Sequence, residues 1–200
     1  MSNEIISTIY DHYKDTCSIV AEAIKRRDRL MIFVIIALGS FAFQSIFPNT
    51  SNVIINDFLN FKFGVNLELN LSIIGNIIWF LLLIFTLRYF QVAVFVERQY
   101  SYLHKIEDRL NKEFGEDIIT REGKGYLSNY PYFSDWMWLL YTVIFPLLLF
   151  VVTAIKIVSE LKDVCVSGWH LGLVFNIGIF ILLATSIILY LFMLHKKSKK

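Results

Sequence analysis

Four long runs of uncharged, mostly apolar residues constrain this chain more than any other feature. They are residues 30–47, 71–87, 136–155 and 171–194. Each has the roughly 17 to 25 residues that an α-helix, rising about 1.5 Å per residue, needs to cross about 30 Å of hydrocarbon. With 56% hydrophobic and 16% aromatic residues, the chain has more apolar surface than one small globule buries. The sequence therefore predicts an all-α, polytopic membrane protein with four transmembrane helices and a helical cytoplasmic extension.

The positions of lysine and arginine predict the orientation of these helices. Sixteen of the 19 basic residues lie in segments 1–29, 88–135 and 195–200, and three lie in segments 48–70 and 156–170. Cytoplasmic segments of membrane proteins carry an excess of lysine and arginine. We therefore expect a multi-pass protein of the cell inner (plasma) membrane with both termini in the cytoplasm. Segments 48–70 and 156–170 are then outer loops, and 195–200 is a basic cytoplasmic tail.

The second run does not end where it meets its first charge. Residues 88–114 contain no proline or glycine, so the pattern predicts one helix from residue 71 to 114 that stops at Gly115 and projects into the cytoplasm. Its apolar side chains recur every three or four residues, at Val92, Val96, Tyr100, Leu103, Ile106, Leu110 and Phe114.

Segment 1–29 has a matching stripe and is predicted to be a cytoplasmic amphipathic helix. Acidic and basic residues lie together on its polar face, whereas a helix on a membrane surface is usually basic there. We therefore expect it to pack against the projecting helix. The stripe consists of Ile6, Ile9, Tyr13, Cys17, Val20 and Ile24.

Two groups of basic and aromatic residues are candidates for binding a ligand or a partner. On the projecting helix, Arg98, Lys105 and Arg109 form either a solvated face or contacts to another subunit or a cytosolic protein. The cytoplasmic loop 115–135 places cations beside aromatic rings, which is typical of nucleotide or single-stranded nucleic acid binding. The alternative is that its tyrosines anchor the third span in the headgroups. The loop candidates are Arg121, Lys124, Tyr126 and Tyr130.

Polar residues within the apolar runs are candidates for lining a pore: Ser40, Gln44, Asn76 and Asn176. Bridging between helices is the alternative role for such residues. Ser40 and Gln44 share one helix face, and Gly39 beside them is expected to permit a close helix approach. None of the four runs contains Asp, Glu, Lys, Arg or His, which argues against ion-coupled transport. Pro146 is expected to kink the third span.

The chain offers no pattern typical of catalysis. The glycines around Lys124 lack the spacing of a phosphate-binding loop, and its four histidines lie far apart in sequence. We therefore expect no enzyme activity, no catalytic residues, no metal site and no cofactor.

Four helices from one chain enclose little space, so conduction would require a homo-oligomer in the lipid bilayer. The sequence favours an oligomeric inner-membrane effector that forms a pore or ion channel and is gated through its cytoplasmic helices by a ligand or partner protein. The alternative is a non-conducting adaptor or scaffold that recruits a cytosolic partner.

In size, number of spans and charged cytoplasmic extension, the chain resembles small multi-pass bacterial membrane effectors of anti-phage defence systems, such as the membrane subunits of Hailong and Kiwa. The resemblance lies in architecture rather than in a sequence motif. It implies membrane disruption or depolarisation that is released by an infection signal, together with a companion protein.

Overall fold

The computed structural model describes residues 3–64, 71–115, 132–167 and 171–198, and all the regular structure in these ranges is helical. The elements are α1 (Asn3–Ile46), α2 (Pro48–Phe63), α3 (Leu71–Phe114), α4 (Tyr132–Leu139), a π-helical stretch (Leu140–Ile144), α5 (Phe145–Ser167) and α6 (Leu171–Ser198). The predicted all-α class is therefore confirmed for the described residues.

Three of the helices are long and apolar enough to cross a membrane, over Ile73–Phe114, Trp136–Lys162 and Leu171–Met193. A bent pair, Glu4–Gln44 and Asn49–Lys62, meets the same criteria of length and composition when its two helices, 115° apart, are taken together. These long apolar helices are compatible with a membrane protein. The fourth span and the cytoplasmic extension stay predictions.

Helix α3 continues past Arg88 and ends where the sequence predicts. Its 44 residues correspond to about 65 Å of helix. Gly115 follows in the left-handed conformation with φ of 73°, and its N–H donates to the Asn111 carbonyl at 3.0 Å. A residue with a β-carbon is strained at this φ, so glycine suits the end of the helix.

Two segments that the sequence predicts as loops contain helix. Segment 48–70 contains α2, which has Pro48 in its first turn and ends at Gly64. Segment 156–170 contains the last part of α5, which continues to Ser167. Lys156 and Glu160 lie one helical turn apart in that part, and opposite charges at this spacing stabilise a helix rather than end it.

The chain divides into two compact units. Unit 1 consists of Met1–Arg29 and Tyr89–Phe145, and unit 2 consists of Leu30–Arg88 and Pro146–Lys200. In unit 1, the predicted packing of the two apolar stripes is observed, because residues of both share one core. The buried members are Tyr13, Val20, Leu103, Ile106 and Leu110, with Ile9, Cys17, Ile24 and Tyr100 packed against them.

In unit 2, the segments of α1 and α3 run antiparallel. The Phe33 ring stacks near Phe85 with 5.3 Å between centroids, and the Phe41 ring lies 5.5 Å from that of Trp79. Residue numbers thus increase along α1 in the direction in which they decrease along α3. The fully buried side chains include Val34, Trp79, Leu82, Thr86, Leu149, Thr153, Leu173, Leu183 and Ile187.

Large apolar side chains are exposed on several helices of unit 2. Such a surface is unusually apolar for a protein in water. Side chains that are at least half exposed include Ile36, Leu148, Val151, Ile155, Ile181, Ile188, Leu189 and Phe192.

A π-helical stretch, Leu140–Ile144, lies just before Pro146, where the sequence predicts a kink. The Phe145 N–H donates to the Leu140 carbonyl, which closes a π-helical rather than an α-helical turn. Proline has no N–H, and its ring clashes with the carbonyl four residues earlier in a regular helix. A π-helical stretch beside it is one of the recognised ways in which helices accommodate such a site.

We expect Leu110→Ala to loosen both helices of the unit 1 core, because Leu110 is fully buried there. Removal of this side chain should lower the free energy of unfolding by about 2 to 5 kcal/mol. Hydrogen exchange followed by mass spectrometry should show faster exchange in residues 9–24 of α1 as well as around residue 110. Lys112→Ala, at an exposed position two residues away, is the matched control. Faster exchange confined to α3 would contradict the shared core.

Candidate functional site

A charged pair lies inside the helical packing of unit 2. Lys156 and Glu160 are one turn apart on α5, and the Lys156 ammonium donates to Oε1 of Glu160. The Lys156 side chain is only 9% exposed and that of Glu160 is 25% exposed. A charge withdrawn from water is unfavourable unless it is paired and hydrogen-bonded. The contacts around this pair therefore determine whether it is stable.

Two aromatic rings lie beside the Lys156 ammonium. Its Nζ is 4.9 Å from the ring centroid of Trp79 on α3 and 5.4 Å from that of Phe41 on α1. The negative face of an aromatic ring attracts a cation, and a desolvated contact of this kind contributes about 2 kcal/mol. The rings thus replace part of the hydration that the ammonium has lost.

Asn176 on α6 holds the carboxylate of the pair. Its side-chain Nδ2 donates to Oε1 of Glu160 at 3.0 Å and to Oε2 at 3.1 Å. The Trp79 indole N–H lies 3.4 Å from the backbone carbonyl oxygen of Asn176 and donates to it. Asn176 is 4% exposed, and its Oδ1 has no hydrogen-bond partner among the residues that the structure describes.

These five residues, Phe41, Trp79, Lys156, Glu160 and Asn176, form what we call the Lys156 cluster. It joins α1, α3, α5 and α6, the four long helical segments of unit 2. On α5 the inward positions Leu149, Thr153, Lys156 and Glu160 are spaced by four, three and four residues. One helix face therefore changes along its length from apolar to charged.

The Lys156 cluster lies just past the end of the third apolar run. The sequence predicts that this run ends at Ile155 and that no Asp, Glu, Lys, Arg or His lies within a span. The helix that contains the third run continues to Lys162 and carries Lys156 and Glu160. These two charges are paired with each other and partly shielded by protein.

The predicted pore-lining residues do not share one environment. Gln44 and Asn176 are buried, Asn76 is half-buried and Ser40 is exposed. Among the described residues of one chain, Gly39 is not a point of close helix approach, because a β-carbon there would have no neighbour within 4 Å. A close approach is found at Gly75 instead.

Gly75 on α3 accommodates the Gln44 side chain of α1. A β-carbon on residue 75 would lie 3.2 Å from Nε2 and 3.4 Å from Oε1 of Gln44. A larger residue at this position would therefore displace the glutamine. Asn176 is the only pore-lining candidate that belongs to the Lys156 cluster, where it bonds to Glu160.

The candidate ligand-binding residues on the projecting helix are accessible. Arg98, Lys105 and Arg109 are all exposed on α3. The other four candidates, Arg121, Lys124, Tyr126 and Tyr130, lie outside the described residues.

Unit 1 contains a buried polar contact that the sequence pattern does not reveal. The Tyr13 hydroxyl donates to Oε1 of Glu107 at 2.8 Å, and both residues are buried. Burial, together with the adjacent Glu107 carboxylate, raises the pKa of the Tyr13 hydroxyl above its usual value. The phenol therefore keeps its proton as a hydrogen-bond donor.

A second polar contact joins the same two helices at the surface of unit 1. His12 Nε2 lies 2.8 Å from the Tyr102 hydroxyl, and their rings meet edge to face. Within the described ranges, no group of three or more His, Cys, Asp or Glu side chains is arranged to hold a metal ion.

Comparison of the chain with protein-family models, with curated proteins and with solved structures finds no match. Functional inference therefore rests on the geometry of the chain itself.

We predict a strong thermodynamic coupling between Lys156 and Glu160. Lys156→Met leaves a partly buried carboxylate without its cation, and Glu160→Gln leaves the ammonium without its anion. Each single change should reduce stability by about 3 kcal/mol. The midpoint of thermal unfolding in detergent should then fall by about 6 to 12 °C for a chain of this size.

The double variant Lys156→Met/Glu160→Gln should lose much less than the sum of the two single changes, because neither charge is then left alone. Lys162→Met, which changes an exposed lysine on the same helix, should alter stability by less than about 0.5 kcal/mol. A double variant that loses the full sum of the two single losses would contradict a coupled ion pair.

Proposed function

We propose that this chain is the membrane-embedded subunit of an oligomeric effector that forms a pore or ion channel in the inner membrane. The observation that most supports the proposal is the exposed apolar surface of unit 2, on helices that are long and apolar enough to cross a membrane. The Lys156–Glu160 pair lies inside the packing of one subunit and holds its helices together. The exposed apolar faces of unit 2 suit contact with lipid and with other copies of the chain.

The proposed pore lies between subunits. The side chains at the centre of unit 2, such as Leu82, Leu149 and Leu183, are fully buried, so the interior of one chain is packed rather than open. Several copies arranged around an axis are needed to enclose a channel. Asn76 and Ser40, which are only partly buried or exposed, are then candidates for the pore surface, whereas Gln44 and Asn176 act within the chain.

The proposed gate is unit 1. Its two helices share a compact core, so a ligand or partner that binds one helix acts on both. Arg98, Lys105 and Arg109 are exposed for such contacts. In this proposal, binding of a cytosolic protein shifts unit 1 between closed and open arrangements. The alternative ligand is a nucleotide or single-stranded nucleic acid at the 115–135 loop.

The exposed basic residues also support a second function, that of a non-conducting adaptor which holds a cytosolic partner at the membrane. A role in anti-phage defence, in which infection releases the effector to depolarise the membrane, fits the first function and remains a proposal based on resemblance of architecture.

The proposed topology has four spans with both termini in the cytoplasm. Green fluorescent protein folds and fluoresces in the cytoplasm but does not do so after export through the general secretory route. It should therefore be fluorescent when fused to either terminus. Alkaline phosphatase, which is active only outside, should be inactive at both. A chain with three spans has its termini on opposite sides, so one active phosphatase fusion would overturn this topology.

A pore predicts ion flux through liposomes that contain the purified chain alone or with its activating ligand. Potassium release from such liposomes should exceed that from empty ones and should change in Lys156→Met. Lys162→Met is the matched control. A membrane that stays tight under every ligand tested would refute the pore.

Charge reversal separates the two functions. Arg98→Glu/Arg109→Glu should reduce capture of a cytosolic partner if the chain is an adaptor, with no flux at any stage. In a pore-forming effector, the same substitutions should change the gating of a flux that is still measurable.

A further inference from the structure

The surroundings of the Lys156 ammonium have the composition of a cation-binding site. A carboxylate oxygen of Glu160 accepts a hydrogen bond from the ammonium, and the ring centroids of Trp79 and Phe41 lie 4.9 and 5.4 Å from Nζ. We propose that Phe41, Trp79, Glu160 and Asn176 form a binding site for a primary ammonium group, and that Lys156 is its built-in occupant. This inference goes beyond the proposed function and does not depend on conduction.

The site holds its shape through contacts that do not involve Lys156. The Asn176 amide donates to both oxygens of Glu160, and the Trp79 indole donates to the Asn176 backbone carbonyl. The Phe41 and Trp79 rings contact each other. The carboxylate and both rings therefore stay in place when the lysine is shortened, and a preorganised site binds its ligand without paying for reorganisation.

The chemistry of the site favours a compact ammonium over other cations. A guanidinium binds a carboxylate best through two parallel hydrogen bonds, but both oxygens of Glu160 already accept from Asn176. Calcium and magnesium require about six oxygen ligands, and aromatic rings supply none. One carboxylate oxygen beside two ring faces suits a single –NH₃⁺ group.

The tether explains why the native site does not readily take a free amine. Because Lys156 is attached to α5 beside the site, its ammonium is present at a high effective concentration and outcompetes dilute ligands. Removal of the lysine head group should leave an anionic, aromatic site that a small alkylammonium ion can fill.

Chemical rescue tests the proposal in the full-length chain in detergent. Lys156→Ala removes three methylenes and the ammonium, which propylammonium replaces atom for atom. Propylammonium chloride at about ten times its Kd should raise the unfolding midpoint of Lys156→Ala by about 3 to 6 °C above the same concentration of sodium chloride. The increase should saturate with concentration.

Three protein controls and one ligand control define the result. Propylammonium should raise the unfolding midpoint no more than sodium chloride does in native protein, in Lys156→Met and in Lys162→Ala. The Lys156→Met side chain fills the space with a neutral group. 1-Propanol, which has the same shape without the charge, should fail to rescue Lys156→Ala. Equal rescue by 1-propanol, or no saturable rescue by propylammonium, would overturn the proposal.

A smaller substitution decides the question if Lys156→Ala does not fold. Lys156→Gln fills the lysine space as far as the Cε position and lacks only the terminal nitrogen, so the ammonium ion is its matched probe. A saturable rise in the unfolding midpoint with ammonium chloride over sodium chloride, lost in Lys156→Gln/Glu160→Gln, supports the site. The absence of a rise in Lys156→Gln overturns it.

Discussion

The packing of unit 2 depends on how a lysine ammonium is stabilised away from water. An isolated buried charge is unfavourable by several kcal/mol, so Lys156 requires an anion, and the anion requires its own hydrogen-bond donors. Glu160 supplies the first and Asn176 the second. Trp79 links them, since one face of its ring contacts the ammonium and its N–H donates to the backbone of Asn176. Each of these helices thus supplies a partner for a charged or polar group on another helix.

The buried polar contact between Tyr13 and Glu107 in unit 1 has a different role. Tyr13 and Glu107 lie in a core that otherwise consists mainly of apolar side chains. Two apolar stripes can slide past each other by one turn at little cost, but a buried hydroxyl and carboxylate meet in a single alignment. Buried polar groups are known to fix the register of paired helices in this way, and we infer the same for α1 and α3.

The sequence predicts the parts of this structure that depend on local periodicity. The stripes of Tyr13 and Leu110 recur every three or four residues, so their packing follows, and Gly115 marks the end of α3. The sequence does not predict the Lys156 cluster, because most of its members are distant from one another along the chain. Glu160 and Asn176 are 16 positions apart, and Trp79 and Asn176 are 97 positions apart. The i,i+4 spacing of Lys156 and Glu160 was the available signal, but a search for uncharged runs discards it.

Trp79 gives the site an optical property. It is fully buried, whereas Trp136 and Trp138 are about half exposed, so its indole absorbs and emits in an environment unlike theirs. The Lys156 ammonium close to the ring face imposes a fixed electric field on the indole. Any event that moves that ammonium, whether the arrival of a partner, a change of membrane potential or a competing amine, changes this field. The chain therefore contains a spectroscopic reporter of the state of its own charged centre, without any added label.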